Sequence, residues 1–416
     1  MRFVVGLIYF SSFLRFAIGI SDPLLPNLTG RQVLSVAGPR RITLRDAFTE
    51  TKNYPNNEGE DHSKIVPPTG AIFTSIPVSP LQKERIPFFQ SISPAPEYVT
   101  HAFIVLHGRL RNGKHYWMIT NSTIRSARKD GYPGSQINAT ILAPQFFSAK
   151  YNKGQYRRND LAWADTNAWQ AAERAIHPRG THIDSIDVLD AIVSMFENKA
   201  VYPSMKNITI IGHGGGGQLI QRYAALGKAI AGDSHIRYIH GDPSTCVYFT
   251  DDRLIPENSA PSKQNCHLFD TWRYGFKGFP AEKNTPTLRE DAFYKYITRD
   301  VISLIGREDT GEEGDQTCMA KMQGGTKRRD RNLTWWKYIN LLAGTSANLD
   351  GFPGQFALKR NWRHISNGSI NLKLGVVEGV GHDAKDIFSS DTGRSALFSD
   401  GVIDVGWRPL GNAGKL

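Results

Sequence analysis

A chain of 416 residues exceeds the usual size of one domain, yet α/β folds reach this length as a single body with insertions. Its 40% hydrophobic and 21% charged residues are those of a globular protein with a sizeable core, which excludes a disordered or fibrous chain. The net charge of +11 does not indicate nucleic acid. Apart from Lys327-Arg328-Arg329 and Arg157-Arg158 the basic residues are scattered, these two runs read as solvated loops, and no nucleic-acid motif surrounds them.

Met1-Arg2 gives a positive start, residues 3–14 are apolar, Arg15 interrupts, and Ala17-Ile18-Gly19 places small residues where a signal peptidase reads, with a second possible cut after Ser21. This predicts a signal peptide over 1–19 and a secreted, extracellular chain. The apolar run falls short of the ~20 residues that a span needs, so no stable membrane anchor is expected. Six Asn-X-Ser/Thr sequons, at Asn27, Asn121, Asn138, Asn207, Asn332 and Asn367, agree with export. Asn138 and Asn207 abut predicted core strands and are the poorest acceptors. Three cysteines permit one disulfide. Cys266–Cys318 is expected, because Cys246 follows a predicted buried strand, where a lone cysteine packs as a small hydrophobe.

Residues 20–98 are rich in Pro, Asn and charge and read as an N-terminal arm. Its two strand-like runs, 71–78 and 86–90, contain Pro77 and Pro87, which confines each to a sheet edge. From 99 to 416 the pattern changes. Apolar runs at 102–106, 140–143, 208–211, 236–239, 301–305 and 372–377 alternate with helical segments, which predicts an α/β fold with a mostly parallel central sheet and helices on both faces. Expected helices cover 183–196, behind a Thr181-x-x-Asp184 capping box, then 218–226 and the aromatic-rich 334–342. Residues 243–295 hold no convincing sheet strand and read as a cap insertion over the carboxyl ends of the strands.

The chemistry centres on 212–217, a glycine-rich turn between a strand and a helix. Such a turn can present one side chain above the sheet, as in Gly-x-Ser-x-Gly. Here the segment reads Gly212-His213-Gly214-Gly215-Gly216-Gly217-Gln218, so Gly214 stands at the serine position. His107-Gly108-Arg109 ends an earlier strand, where the Arg109 N–H and the Gly215 N–H would form an oxyanion hole. Asp309, in Gly306-x-x-Asp309, follows a later strand as the acid, with Asp242 as the rival and a turn aspartate as the bland alternative. His382, in Gly379-Val380-Gly381-His382-Asp383, follows the last strand, where the imidazole belongs. The order nucleophile, acid, histidine fits this fold and not the chymotrypsin or subtilisin arrangements. His107 reads as a structural histidine.

On these residues the chain resembles the α/β-hydrolase superfamily, more narrowly its secreted fungal-type esterase and lipase-like members. Asp242-Pro243-Ser244-Thr245 and Trp272-Arg273-Tyr274-Gly275 match further stretches of that group, and the likeness covers residues 100 to 400. The resemblance implies an ester-hydrolysing machinery that lacks its nucleophile. Glycine carries no side chain, so covalent catalysis at the elbow is excluded by chemistry. The expected function is therefore a silenced serine hydrolase (a pseudoenzyme) that keeps its pocket for a small acyl or ester-like ligand or an extracellular protein partner. Two alternatives stay open: residual ester hydrolysis by His382 and water, and an inactive serine variant of an esterase. Gly212-x-Gly214-x-x-Gly217 also fits the dinucleotide fingerprint, with Asp242 ending the next strand. That fingerprint normally opens the first βαβ unit, and several strands precede this one. No cofactor and no metal are expected.

Overall fold

In the computed structural model, which describes residues 61–78, 83–164, 167–255, 261–280, 283, 285–357 and 359–399, the apolar runs of the sequence become strands of one sheet. In chain order the elements are β1 (Ala71–Pro77), β2 (Arg85–Ser91), β3 (His101–Leu106), α1 (Gly113–Lys129), β4 (Ala139–Pro144), β5 (Phe147–Ser148), β6 (Ala162–Trp163), α2 (Ser185–Glu197), β7 (Asn207–His213), α3 (Gly215–Leu226) and β8 (His235–Gly241). There follow α4 (Leu288–Thr298), β9 (Asp300–Gly306), α5 (Cys318–Lys321), α6 (Arg328–Ala343), α7 (Arg363–Ser366), β10 (Lys373–Val377), α8 (Ala384–Ser389) and α9 (Asp391–Phe398). The expected signal peptide and Asn27 lie outside the described residues.

Eight strands pair in the order β1-β2-β4-β3-β7-β8-β9-β10. From β4 to β10 the neighbours are parallel, and β1 and β2 add an antiparallel pair at one side. Every residue of β3 and β4 is buried, because helices cover both faces, and so these strands read as unbroken apolar runs without alternation. On one face Ile104, Ile208, Ile210 and Val301 pack with residues of α2, α3, α4 and α6. On the other, Phe103, Val105, Ile211 and Ile239 pack with residues of α1, α8 and α9. Among the described residues no helix is long and apolar enough to cross a membrane.

Several expectations change. Of the two strands expected at an edge only β1 lies there; β2 pairs on both sides. Pro87 is tolerated there because β4 ends at Pro144, opposite Phe88, and beyond it the Gln145 N–H donates to the Pro87 carbonyl (2.8 Å), a bond that needs no donor from proline. The cap of α2 is Asp184, not Thr181. Its carboxylate accepts from the Asp187 N–H (3.0 Å) while the Asp187 carboxylate accepts from the Asp184 N–H (3.1 Å). The helix after the glycine run starts at Gly215 instead of Gln218, and α6 starts at Arg328 instead of Thr334.

Between β8 and α4 no described residue joins the main sheet, and the end of the 243–295 stretch is the crossover helix α4. Cys266 in this insertion bonds Cys318, at the start of α5, and Cys246 is a buried free thiol pushed up to about 12 by burial. The two expected poor sequons do not share one environment: Asn138 is exposed, and Asn207 is half-buried. Asn332 is the one that the fold closes. Its side chain is buried in α6, and its amide donates to the carbonyls of Pro243 (3.0 Å) and Arg328 (2.8 Å), which leaves no room for a glycan in the folded chain.

Candidate active site

β7 ends at His213, Gly214 makes the turn, and α3 begins at Gly215. Gly214 holds φ +57° and ψ −112°, a conformation that glycine adopts freely and other residues reach only with strain. Its N–H donates to the Gly241 carbonyl (2.9 Å), and its carbonyl accepts from Gln218 (3.0 Å). The neighbouring glycines answer to packing. A Cβ at 216 would lie 2.6 Å from the Leu106 carbonyl oxygen, and one at 217 would lie 2.4 Å from that of Gly241. Position 214 differs: a Cβ there meets only the His382 ring within 4 Å, with Nε2 at 3.1 Å and Cε1 at 3.5 Å. A side chain at 214 would point straight at that imidazole.

His382 lies between β10 and α8. Its Nδ1 is 3.0 Å from Asp309 Oδ2, so Nδ1 carries the proton and donates, and Nε2 turns its lone pair toward Gly214. Asp309, three residues past β9, is buried. Arg328, the first residue of α6, grips it: Nε lies 3.1 and 3.0 Å from the two carboxylate oxygens and one terminal nitrogen lies 2.8 Å from Oδ1. Burial works against the charge on Asp309, but the hydrogen bonds from His382 and Arg328 outweigh it and hold the carboxyl below its ordinary value. Burial, and next the neighbouring His213, push the His382 imidazole below its ordinary value despite the bond to Asp309.

The rival acid has another partner. Asp242 is fully buried, accepts from the Gly306 N–H (3.0 Å) and lies 3.2 Å from His213 Nε2. Arg109 and Gly215 both line the cavity described below. Gly215 opens α3, so its N–H has no acceptor within the helix. A Cβ on Gly215 would fall 2.7 Å from the Gln170 side chain. His107 is fully buried, Nδ1 bonding the Gly108 carbonyl (2.8 Å) and Nε2 accepting from the Phe146 N–H (3.0 Å), and burial takes it down to about 3. With both nitrogens spent, it braces the loop after β3.

A cavity of about 840 Å³ opens onto Gly214 and His382, walled by Arg109, Gln170 and Arg273 and by the loop that carries Asp309 and Glu313. Sequence reasoning missed two participants. Arg328 sat in a basic run read as a solvated loop, yet it is 4% exposed. His213 was read only as the residue before the nucleophile, and with Asp242 and His382 it forms a group whose donor atoms all lie within 4.8 Å of one another, a candidate metal-binding group where none was expected.

No family model matches the chain, and no curated protein matches it. Among solved structures it is similar to LpqC, a poly(3-hydroxybutyrate) depolymerase from Bordetella parapertussis, at 15% identity and a TM-score of 0.50 over 79% of this chain and 90% of that one. It is also similar to poly(aspartic acid) hydrolase-1 from Sphingomonas sp. KT-1, at 15% identity and a TM-score of 0.49 over 77% and 96% of the two chains. The fold is the α/β-hydrolase fold. A siderophore hydrolase from Aspergillus nidulans aligns over 82% of this chain and 98% of its own, at 10% identity and a TM-score of 0.42. Identities this low speak for fold alone.

Proposed function

We propose that this chain is a silenced serine hydrolase of secreted esterase type, which keeps the cavity to bind a small acyl or ester-like ligand without covalent chemistry. The observation that carries the reading is Gly214 itself: a residue without a side chain stands where a Cβ would lie 3.1 Å from His382 Nε2, while Asp309 still holds the other nitrogen. The order of Gly214, Asp309 and His382 along the chain is the order of nucleophile, acid and histidine in this fold. Loss of the nucleophile from such a set leaves only binding and oxyanion stabilisation, worth about 10³–10⁴-fold over water. Kinship with fungal-type members rests on the motifs around 212–218, 242–245, 272–275 and 379–383. Export rests on the amino-terminal pattern, the sequons and the Cys266–Cys318 disulfide.

The test compares wild type with Gly214→Ser on short-chain aryl esters and a fluorophosphonate probe. The reading expects a wild type that neither labels nor turns over, and a variant that gains both. A second reading draws on the open space beside His382 Nε2, where a water could be activated for slow direct hydrolysis. Wild-type ester turnover that His382→Ala abolishes would establish that second reading and overturn the first. An extracellular protein partner is the outcome if the serine variant folds, stays inert and the wild type binds no acyl ligand. For export, mass spectrometry of the secreted chain is expected to find glycans at exposed Asn138 or Asn367 and none at Asn332; an intracellular, unglycosylated product refutes it.

A further inference from the structure

We propose that His213, Asp242 and His382 form a binding site for one divalent transition-metal ion of the zinc class, at the foot of the cavity beside Gly214. The three residues come from the ends of β7 and β8 and from the segment after β10, so the sheet, and no short sequence motif, brings them together. One donor atom of each lies within 4.8 Å of the others. His213 Nε2 and Asp242 Oδ2, 3.2 Å apart, have the separation of adjacent ligands each about 2 Å from one ion. The His213 and His382 ring centroids are 4.2 Å apart with planes tilted 40°. Two imidazoles on neighbouring tetrahedral positions, at ordinary zinc–nitrogen distances, place their centres about 5 Å apart, so an ion would part the two rings by roughly 1 Å.

Three further features fit an ion at this place. Asp242 is fully buried, and its carboxylate meets a backbone N–H and a histidine; among the described residues no lysine or arginine forms an ion pair with it. A buried carboxylate calls for a cation or a metal. Asp309 accepts from His382 Nδ1 and is itself held by Arg328, which is the carboxylate–histidine arrangement that fixes the tautomer of a ligating imidazole and aims its other nitrogen outward. Gly214 leaves that nitrogen uncovered, facing the cavity. Two histidines and one carboxylate with an open position make the donor set of a catalytic type of zinc site, not a closed structural one. Binding through His213 Nε2 requires the tautomer that carries its proton on Nδ1. The open position would take an oxygen donor, the carbonyl or carboxylate of an acyl ligand. The site stands on these donors whether or not the hydrolase reading holds.

The experiment uses the full secreted chain, stripped with a chelator and titrated with zinc by calorimetry and with cobalt(II) by visible absorption. The expected result is one equivalent of ion and the strong ligand-field bands of a low-coordinate cobalt site. His382→Ala, a change at a residue whose side chain is 33% exposed, is expected to lower the affinity about 100-fold in a chain that still folds by circular dichroism. Asp309→Asn, which touches no donor atom and reaches the ion through His382, is expected to lower it about tenfold; because it also removes the ion pair to Arg328, its folding is checked by circular dichroism. Absence of stoichiometric binding overturns the proposal, as does binding that both variants leave intact, which would place the ion on other histidines. Ester assays enter none of these readouts, so the failure of this site and the failure of the silenced-hydrolase reading are separate results.

Discussion

Replacing Gly214 by alanine tests whether the elbow keeps a shape that glycine alone finds comfortable. At φ +57° and ψ −112° a residue with a Cβ carries strain of about 1–3 kcal/mol. The substitution also removes freedom from the unfolded chain, which favours folding by about 0.4–1 kcal/mol. The new Cβ would sit 3.1 Å from His382 Nε2, a close contact, but that side chain is 33% exposed and has room to yield. The net expectation is a loss of about 1–2 kcal/mol, read as a lower urea midpoint at an unchanged denaturant slope. Gly214→Ser should lose less than alanine, since its hydroxyl can donate to Nε2 and recover about 1 kcal/mol. An alanine variant as stable as wild type, or more so, would refute the reasoning: the turn would then relax instead of holding its strain. If the expectation holds, the chain with glycine is the more stable form of its own elbow.

Gly216→Ala should be far worse, about 3 kcal/mol or more, because its Cβ would press to 2.6 and 2.8 Å against the carbonyl oxygens of Leu106 and His107, backbone atoms that cannot step aside; a variant that folds normally counts against the packing described. Arg328→Met leaves Asp309 buried with His382 as its remaining side-chain partner, and should cost about 3–5 kcal/mol in urea unfolding. In the same variant the His382 ring, relieved of a nearby positive charge, should titrate at higher pH by NMR, and an unmoved midpoint would deny the link. Acid should unfold the protein early. Burial takes His107 and His240 down to about 3, below the ordinary imidazole value of 6.5, so the stability they confer is whole above 6.5 and is lost as pH falls from there toward 3. At pH 5 each should cost roughly 2 kcal/mol, and a urea midpoint that is flat from pH 7 to 5 would contradict this.

How much of this was legible depended on whether the cause was local. The strands β3, β7, β8 and β9 announced themselves because burial on both faces demands unbroken apolar runs. The elbow was visible because close approach at 216 and 217 excludes any side chain. Its helix was placed too late, since three glycines read as a turn until packing against β7 and β8 is known to override their poor helix propensity. Arg328 could not be told from Lys327 and Arg329 by any local signal; its role comes from where α6 begins relative to the end of β9. Asn332 met the sequon rule in sequence and lost its amide to the Pro243 and Arg328 carbonyls in space. The pairing of Asp242 with His213 rests on register across β7 and β8, in which His213 stands opposite Gly241.

The Cys266–Cys318 bond joins the insertion after β8 to the segment between β9 and α6, the same stretch of chain that begins at Asp309. Tyr274 reinforces the seam, its hydroxyl donating to Asp315 Oδ2 (2.5 Å) while its ring packs with Met319 and Met322. Wall and carboxylate are therefore cross-braced: the insertion that carries Arg273 and the segment that carries the Asp309 partner of His382 are tied to each other by one covalent bond and one side-chain hydrogen bond.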